Sequence, residues 1–251
     1  MHRTPCDDVA QGPTAGPATI DQIDLREQLF NTQAIGPIQQ VQLPAEAITS
    51  LHGILFDIDP GSFREEVAPP DVRSSPVQFY ERVVRPWLDR HPALADAEVR
   101  VSGRGLHVIP GLDAPVAFTT DGDRRRWAGV VRAIQAALPT DPHAPGITAV
   151  TRPVGSINGK TKTPVHRQVA GKPGPAGRIL DLFDQLQHRP FRTVAGILFG
   201  PDRVRPCPVC RKEGSGLVAL DRAGKCYGCG TVPLARLYEV FLAPRPAAAS
   251  E

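Results

Sequence analysis

Hydrophobic and polar positions fall into short runs along this chain, and each run predicts an element. Gly53-Ile54-Leu55-Phe56-Asp57-Ile58-Asp59 is apolar until its end and is closed by Pro60-Gly61, as in a buried strand that runs into a turn. Ser74 and Ser75 then precede Pro76, and Phe79, Val83, Val84 and Leu88 recur at helical spacing, which predicts a serine-capped helix with proline in its first turn. Two β runs, 98–102 and 106–110, flank Gly103-Arg104-Gly105 and predict a hairpin. Asp121 or Asp123 can cap a helix that carries Trp127, Val130, Val131, Ile134 and Leu138 and ends at Pro139. Further helices are expected over 21–30 and 179–186, while Gly171-Lys172-Pro173-Gly174-Pro175-Ala176-Gly177 reads as a linker or exposed loop. Residues 1–20, rich in Pro, Gly, Ala and Thr, read as a disordered tail. Strands and helices alternate irregularly without a repeat or heptad, so an α+β fold is expected and not a doubly wound parallel sheet.

Composition adds limits. The 251 residues suit one large domain, or a medium domain with a small appendage. With 41% hydrophobic residues a sizeable core is possible, and Gly 23 plus Pro 27 make the chain loop-rich without making it low-complexity. The net charge of +3 is weakly basic, so any acidic partner must be argued from local patches. No apolar run approaches the ~18 residues of a membrane span, and the N-terminal stretch mixes His2, Arg3, Asp7 and Asp8. A soluble, unexported, cytoplasmic chain with no membrane partner is expected.

Four segments carry candidate chemistry. Asp57 and Asp59 end a strand two residues apart, which puts both carboxylates on one face with Cα atoms roughly 6–7 Å apart. That suits a shared Mg²⁺ or Mn²⁺ site, and also a solvated strand end whose aspartates cap a turn. Ser102-Gly103-Arg104-Gly105-Leu106-His107 offers backbone N–H groups, an arginine and a histidine to a phosphate, or is simply a hairpin turn. From Arg152 to Lys162 the chain has Arg152, Ser156, Asn158, Lys160 and Lys162 with no acid between them. Three residues separate Gly155 from Gly159 where a P-loop needs four, and Pro164 forbids the helix that should follow, which argues against an ordinary P-loop and leaves an anion-binding loop of another kind or a solvated basic loop. A haloacid-dehalogenase-type phosphohydrolase also ends a strand in Asp-x-Asp, but Pro60-Gly61 departs from its pattern.

The fourth segment is the cysteine module. Cys207-Pro208-Val209-Cys210 and Cys226-Tyr227-Gly228-Cys229 lie within 23 residues, two Cys-x-x-Cys pairs separated by fifteen, which matches a four-cysteine zinc ribbon. Gly228 and Gly230 ease the tight turn. Between His188 and Lys225 eight Lys/Arg face three acids, a local balance of +5 that favours a phosphate-facing surface. Cys6 stands alone and is assigned no role.

Taken in order, Asp57-Ile58-Asp59, then Ser102 to His107, then Asp141-Pro142, then Arg152-Pro153-Val154-Gly155-Ser156-Ile157-Asn158-Gly159-Lys160 resemble the archaeo-eukaryotic primase superfamily, particularly the small primase-polymerases of phages and plasmids. The resemblance covers roughly residues 50–165. It implies an α+β catalytic core of mixed or antiparallel sheets with flanking helices at 21–188, here followed by a zinc ribbon and C-terminal helix at 189–244 and a tail at 245–251. It further implies that Asp57, Asp59 and Asp141 hold two catalytic Mg²⁺ or Mn²⁺ ions. His107, counted with the catalytic residues, would bind the incoming triphosphate with Ser102, Arg104, Arg152 and Lys160, and Ser156 and Asn158 would add polar contacts. The implied activity is template-dependent nucleotidyl transfer, that of a DNA primase or primase-polymerase. Its partners would be single-stranded DNA, nucleoside triphosphates and a separate replicative helicase. A non-catalytic zinc-ribbon DNA-binding protein on the same fold is the alternative.

Overall fold

Period-two alternation sets the central sheet. In the computed structural model, which describes residues 44–141, 144–200 and 202–244, strand β1 (Ser50–Gly53) is followed at once by β2 (Phe56–Ile58). The expected hairpin forms as β3 (Glu98–Ser102) and β4 (Gly105–Ile109), with β5 (Gly111–Ala117) continuing from it. Four strands pair in the order β2-β4-β3-β6, all antiparallel, where β6 is His166–Val169. One face of this sheet presents Phe56, Ile58, Val99, Val101, Leu106 and Val108, each 5% exposed or less. The other face carries the polar alternates and is the face of interest below. β1 and β5 make a separate antiparallel pair, and Pro115 is accommodated there because the backbone pairing on the other edge of β5 involves only Gly111 to Asp113.

The apolar face packs on helices. Ser75 caps the helix that opens at Pro76, accepting from Gln78 N as the sequence predicts. Three segments, Pro76–Phe79, a π-type turn at Tyr80–Val84 and Arg85–Leu88, run on one after another and bury Phe79, Val83, Val84 and Leu88. The next long helix, α1 (Asp121–Gln135), is capped by Thr120 and by neither expected aspartate. Asp123 instead completes a capping box, its carboxylate accepting from the Thr120 N–H. Helices α2 (Ala176–His188) and α3 (Pro190–Phe199) complete the layer, so Val130, Ile134, Ile179, Leu182 and Val194 share one core with the sheet.

The 171–177 stretch is no free linker. Lys172 N donates to Asp96 O, Gly174 N to Gly111 O and Asp113 N to Gly174 O, so backbone pairing pins it beside β5. The expected tails at 1–20 and 245–251 and the helix at 21–30 lie outside the described residues.

The cysteine module is a small sheet, β10-β9-β8-β7, built from β7 (Arg203–Val204), β8 (Leu217–Ala219), β9 (Gly224–Cys226) and β10 (Gly230–Val232). It has its own core of Phe191, Ala195, Cys207, Leu217, Cys226, Val232 and Leu237. Helix α3 serves both cores, with Phe191 and Ala195 facing the ribbon and Val194, Ile197 and Leu198 facing the main core. After a last helix, α4 (Leu234–Tyr238), the chain returns to the main core. Phe241 packs edge-on to Trp87 at 5.4 Å, and Arg64 N donates to Phe241 O. The ribbon is therefore tied to the main core before and after its strands.

Candidate functional site

Register places the first two motifs side by side. Asp57 on β2 pairs with His107 on β4, His107 with Arg100 on β3, and Arg100 with Arg167 on β6, so these four alternates form one row on the polar face. Asp59 continues the extended backbone beyond β2 and is exposed, with Oδ1 accepting from Gly61 N at 2.9 Å to cap the turn Pro60–Ser62. Beyond the opposite edge of β2, Asp141 N donates to Asp57 O at 3.1 Å, which sets a third acidic residue beside the first.

The loop after Asp141 closes over the same face. Thr151 Oγ1 lies 2.7 Å from His107 Nδ1, Arg152 donates to Ser102 Oγ at 3.1 Å, and Arg100 donates to the Arg152 carbonyl. Asn158 is 4% exposed and fully engaged: Nδ2 donates to Ser102 O at 2.8 Å and Oδ1 accepts from Lys160 N at 2.9 Å. Ser156 Oγ donates to Pro153 O. These two side chains shape the loop, whereas Lys160 stands exposed upon it. Arg104 is exposed at the tip of the β3–β4 turn, and no hydrogen bond ties it to the others. Gly103 is required twice at that turn. Its φ is +83°, and a Cβ there would come within 2.5 Å of Thr161 Oγ1 and 2.8 Å of Asn158 Nδ2.

The electrostatics of this face are unbalanced. Burial raises the Asp57 carboxyl above its ordinary value, Asp141 and Asp59 raise it further, and Arg152 and Lys160 only partly offset them. Burial, then Arg152 and Arg100, push His107 down to about 4, so its ring is neutral near pH 7. Glu98, which burial alone would raise, is held low by Arg100 and Arg167. A half-buried carboxylate crowded by two others is the setting that a divalent cation relieves, and all three offer the hard oxygen donors that Mg²⁺ or Mn²⁺ takes. Among the described residues, however, only the cysteines are gathered at metal-ligand spacing.

Cys207, Cys210, Cys226 and Cys229 have sulfurs within 4.8 Å of one another. The Cys207–Cys229 and Cys210–Cys226 separations are 3.9 and 3.8 Å. A tetrahedron with Zn–S of about 2.3 Å has edges of about 3.8 Å, so the four thiols fit zinc. The Lys212 N–H and the Ser215 hydroxyl hold Cys210 down to about 6, while burial and the neighbouring thiols push Cys229 up to about 12. Gly228 is needed for space, since a Cβ would sit 3.1 Å from Cys210 Sγ, and Gly230 takes a φ of +78°.

Of the residues singled out in the sequence, Asp57, Asp59, Ser102, His107, Asp141, Arg152, Ser156, Asn158 and Lys160 thus meet around one sheet face. Sequence reasoning missed Arg100, which period two from Ser102 places on that face, and Thr151, whose only local signal is its place beside Arg152. A separate open cleft of about 750 Å³, lined by Phe63, Pro70, Arg73 and Ala243 among others, shares no residue with this face.

Fold and site define an α+β protein with antiparallel sheets, a mixed acidic and basic sheet face and a four-cysteine cluster. No family model matches the chain, and no curated protein matches it. Among solved structures it is similar to the primase-polymerase domain of cyanophage S-2L, at 19% identity and a TM-score of 0.36, over 55% of this chain and 63% of that one. Likeness at that level carries no functional argument. No helix among the described residues is long and apolar enough to cross a membrane.

Proposed function

We propose that this chain is a template-dependent nucleotidyltransferase, a primase-polymerase that makes primers on single-stranded DNA. The observation that carries the reading is convergence: motifs spread over a hundred residues of sequence meet where Asp57, His107 and Arg100 stand in one row, with Asp141 and the Arg152–Lys160 loop against them. Asp57, Asp59 and Asp141 would hold Mg²⁺ or Mn²⁺, and the four cysteines zinc. Bound divalent cations supply activation of a 3′-hydroxyl and stabilisation of charge developing on the α-phosphate and the leaving pyrophosphate.

The chain's own residues hold the triphosphate. Arg152 and Lys160 bring positive charge to one side of the acidic group and so place phosphate oxygens against it. His107 works as a neutral hydrogen-bonding ring: in the tautomer that accepts from Thr151 at Nδ1, the Nε2–H is free to donate to a phosphate oxygen. Asn158 and Ser156 are positioning residues that fix the loop, and Ser102 orients Arg152. Arg104, exposed at the turn, reaches phosphate only once a nucleotide is bound.

The test is incorporation of labelled nucleotides on a single-stranded template with Mg²⁺ or Mn²⁺. Products that depend on template and metal, and that vanish in Asp57→Asn while template affinity holds, support the reading. The capping role of Asp59 and the open spacing of the three carboxylates favour the non-catalytic alternative. Salt-sensitive DNA affinity without any incorporation would select it. Phosphate release from a monoester without template would select a phosphohydrolase instead.

A further inference from the structure

The aromatic side chains of the main core are hidden: Phe56, Phe63 and Phe79 are 0% exposed, Trp87 5% and Trp127 6%. Tyr227 is 87% exposed, the most of any large apolar side chain among the described residues. It lies inside the second Cys-x-x-Cys pair, where Gly228 N donates to Cys226 Sγ at 3.3 Å and the four sulfurs lie within 4.8 Å of one another. The first cysteine pair abuts this turn, because a Cβ on Gly228 would fall 3.5 Å from Lys212 Cδ as well as against Cys210 Sγ. Lys212, which reaches this turn, and Lys225, two residues before Tyr227, are both exposed. Among the described residues of the ribbon, Leu220 is the one other large apolar residue with substantial exposure, at 46%.

A single exposed ring with lysines nearby in the chain is poorly suited to an apolar protein surface, which needs area. It suits a polymer in which flat faces alternate with negative charges. We propose that the ribbon tip is a stacking platform for unpaired bases of single-stranded DNA, with Tyr227 under a base and Lys212 and Lys225 at flanking phosphates. The inference rests on the reading of this chain as one that acts on nucleic acid, and it assigns the template a contact away from the acidic face. The mounting limits the ordering cost, since the ring has two side-chain torsions and a backbone already fixed by its cysteine neighbours.

The zinc-loaded full chain is titrated against two fluorescent oligomers of about twelve units, one of deoxythymidine and one abasic with the same phosphate charge, at two salt concentrations. The wild type is expected to bind the base-bearing oligomer about 5- to 100-fold more tightly than the abasic one. Tyr227→Phe keeps that preference; Tyr227→Ala and Tyr227→Leu lose it, with zinc content unchanged by elemental analysis. Lys212→Gln keeps the preference but lowers the salt slope by about 0.7. A base preference that survives both Tyr227→Ala and Tyr227→Leu overturns the platform and leaves the proposed function standing. Failure of the wild type to bind either oligomer overturns both.

Discussion

Neutralising Asp57 should make the metal-free protein more stable while removing its response to metal. Asp57 and Asp59 are two residues apart on extended backbone, so their Cα atoms lie roughly 6–7 Å apart. At an effective dielectric of ~20, two charges at that spacing repel by about 2.5 kcal/mol. Arg152 and Lys160 offset part of this, yet the carboxyl is still raised, so burial and repulsion prevail. Asp57→Asn keeps the shape and removes the charge, and the expected gain without divalent cation is about 1 kcal/mol, or a Tm rise of ~2–4 °C. Asp59→Asn removes the same pair repulsion from its exposed, solvent-screened end and keeps an oxygen for the Gly61 N–H, so it should also raise the Tm without Mn²⁺, but by less than Asp57→Asn, which in addition removes a charge from burial and from Asp141. Mn²⁺ at about a hundredfold its Kd should then stabilise the wild type by about 2.7 kcal/mol, a further rise of ~5–10 °C, and leave the Asp57 variant nearly unmoved. The assay is thermal unfolding of zinc-loaded protein with and without Mn²⁺, in buffer free of chelator. A variant less stable than the wild type without Mn²⁺, or one shifted equally by it, would refute the reasoning.

The neutral His107 links stability to pH. Its folded value of about 4 lies below the ordinary value near 6.5, so between these the unfolded chain binds more protons and stability falls as pH drops from 6.5 to 4. The gap is worth about 3 kcal/mol, and His107→Asn should flatten that part of the profile when urea midpoints are compared at pH 7 and 4.5; parallel profiles would sink the assignment. Gly103→Ala should cost about 1–3 kcal/mol and raise the nucleotide concentration for half-maximal rate, because the new methyl meets Thr161 and Asn158 at a positive φ. An unchanged unfolding midpoint would show that the loop packs otherwise. Cys226→Ser should release zinc and speed amide exchange in β8, β9 and the Phe191 side of α3, leaving β2, β4 and β3 protected, since α3 belongs to both cores. Uniform loss of protection would make the ribbon part of one cooperative unit.

Features set by neighbours in sequence were legible without a structure. The hairpin at 98–109 follows from two alternating runs around a glycine turn, the Ser75 cap from serine before proline, and the zinc-like spacing from four cysteines in one short stretch. In each case the interacting groups lie within a few turns of chain, so local sterics and hydrogen bonding decide. Even there competition between near-equals escaped pattern, as Thr120 took the cap and left Asp123 to bond back. The second helix of the pair after residue 176 was also missed, although Pro190 and the spacing of Phe191, Val194, Ala195 and Leu198 would have marked it. What only the tertiary structure decided is adjacency across long separations. That Asp57 faces His107, that Arg100 and Arg167 complete the row, and that Thr151 meets the imidazole all depend on register among strands and a loop 44 to 67 residues apart. The division of labour within the 152–160 loop is of the same kind. Asn158 and Lys160 look alike as polar loop residues, but the buried backbone of the β3–β4 turn needs a donor at Ser102 O, and the amide that supplies it is turned inward while the lysine remains outside.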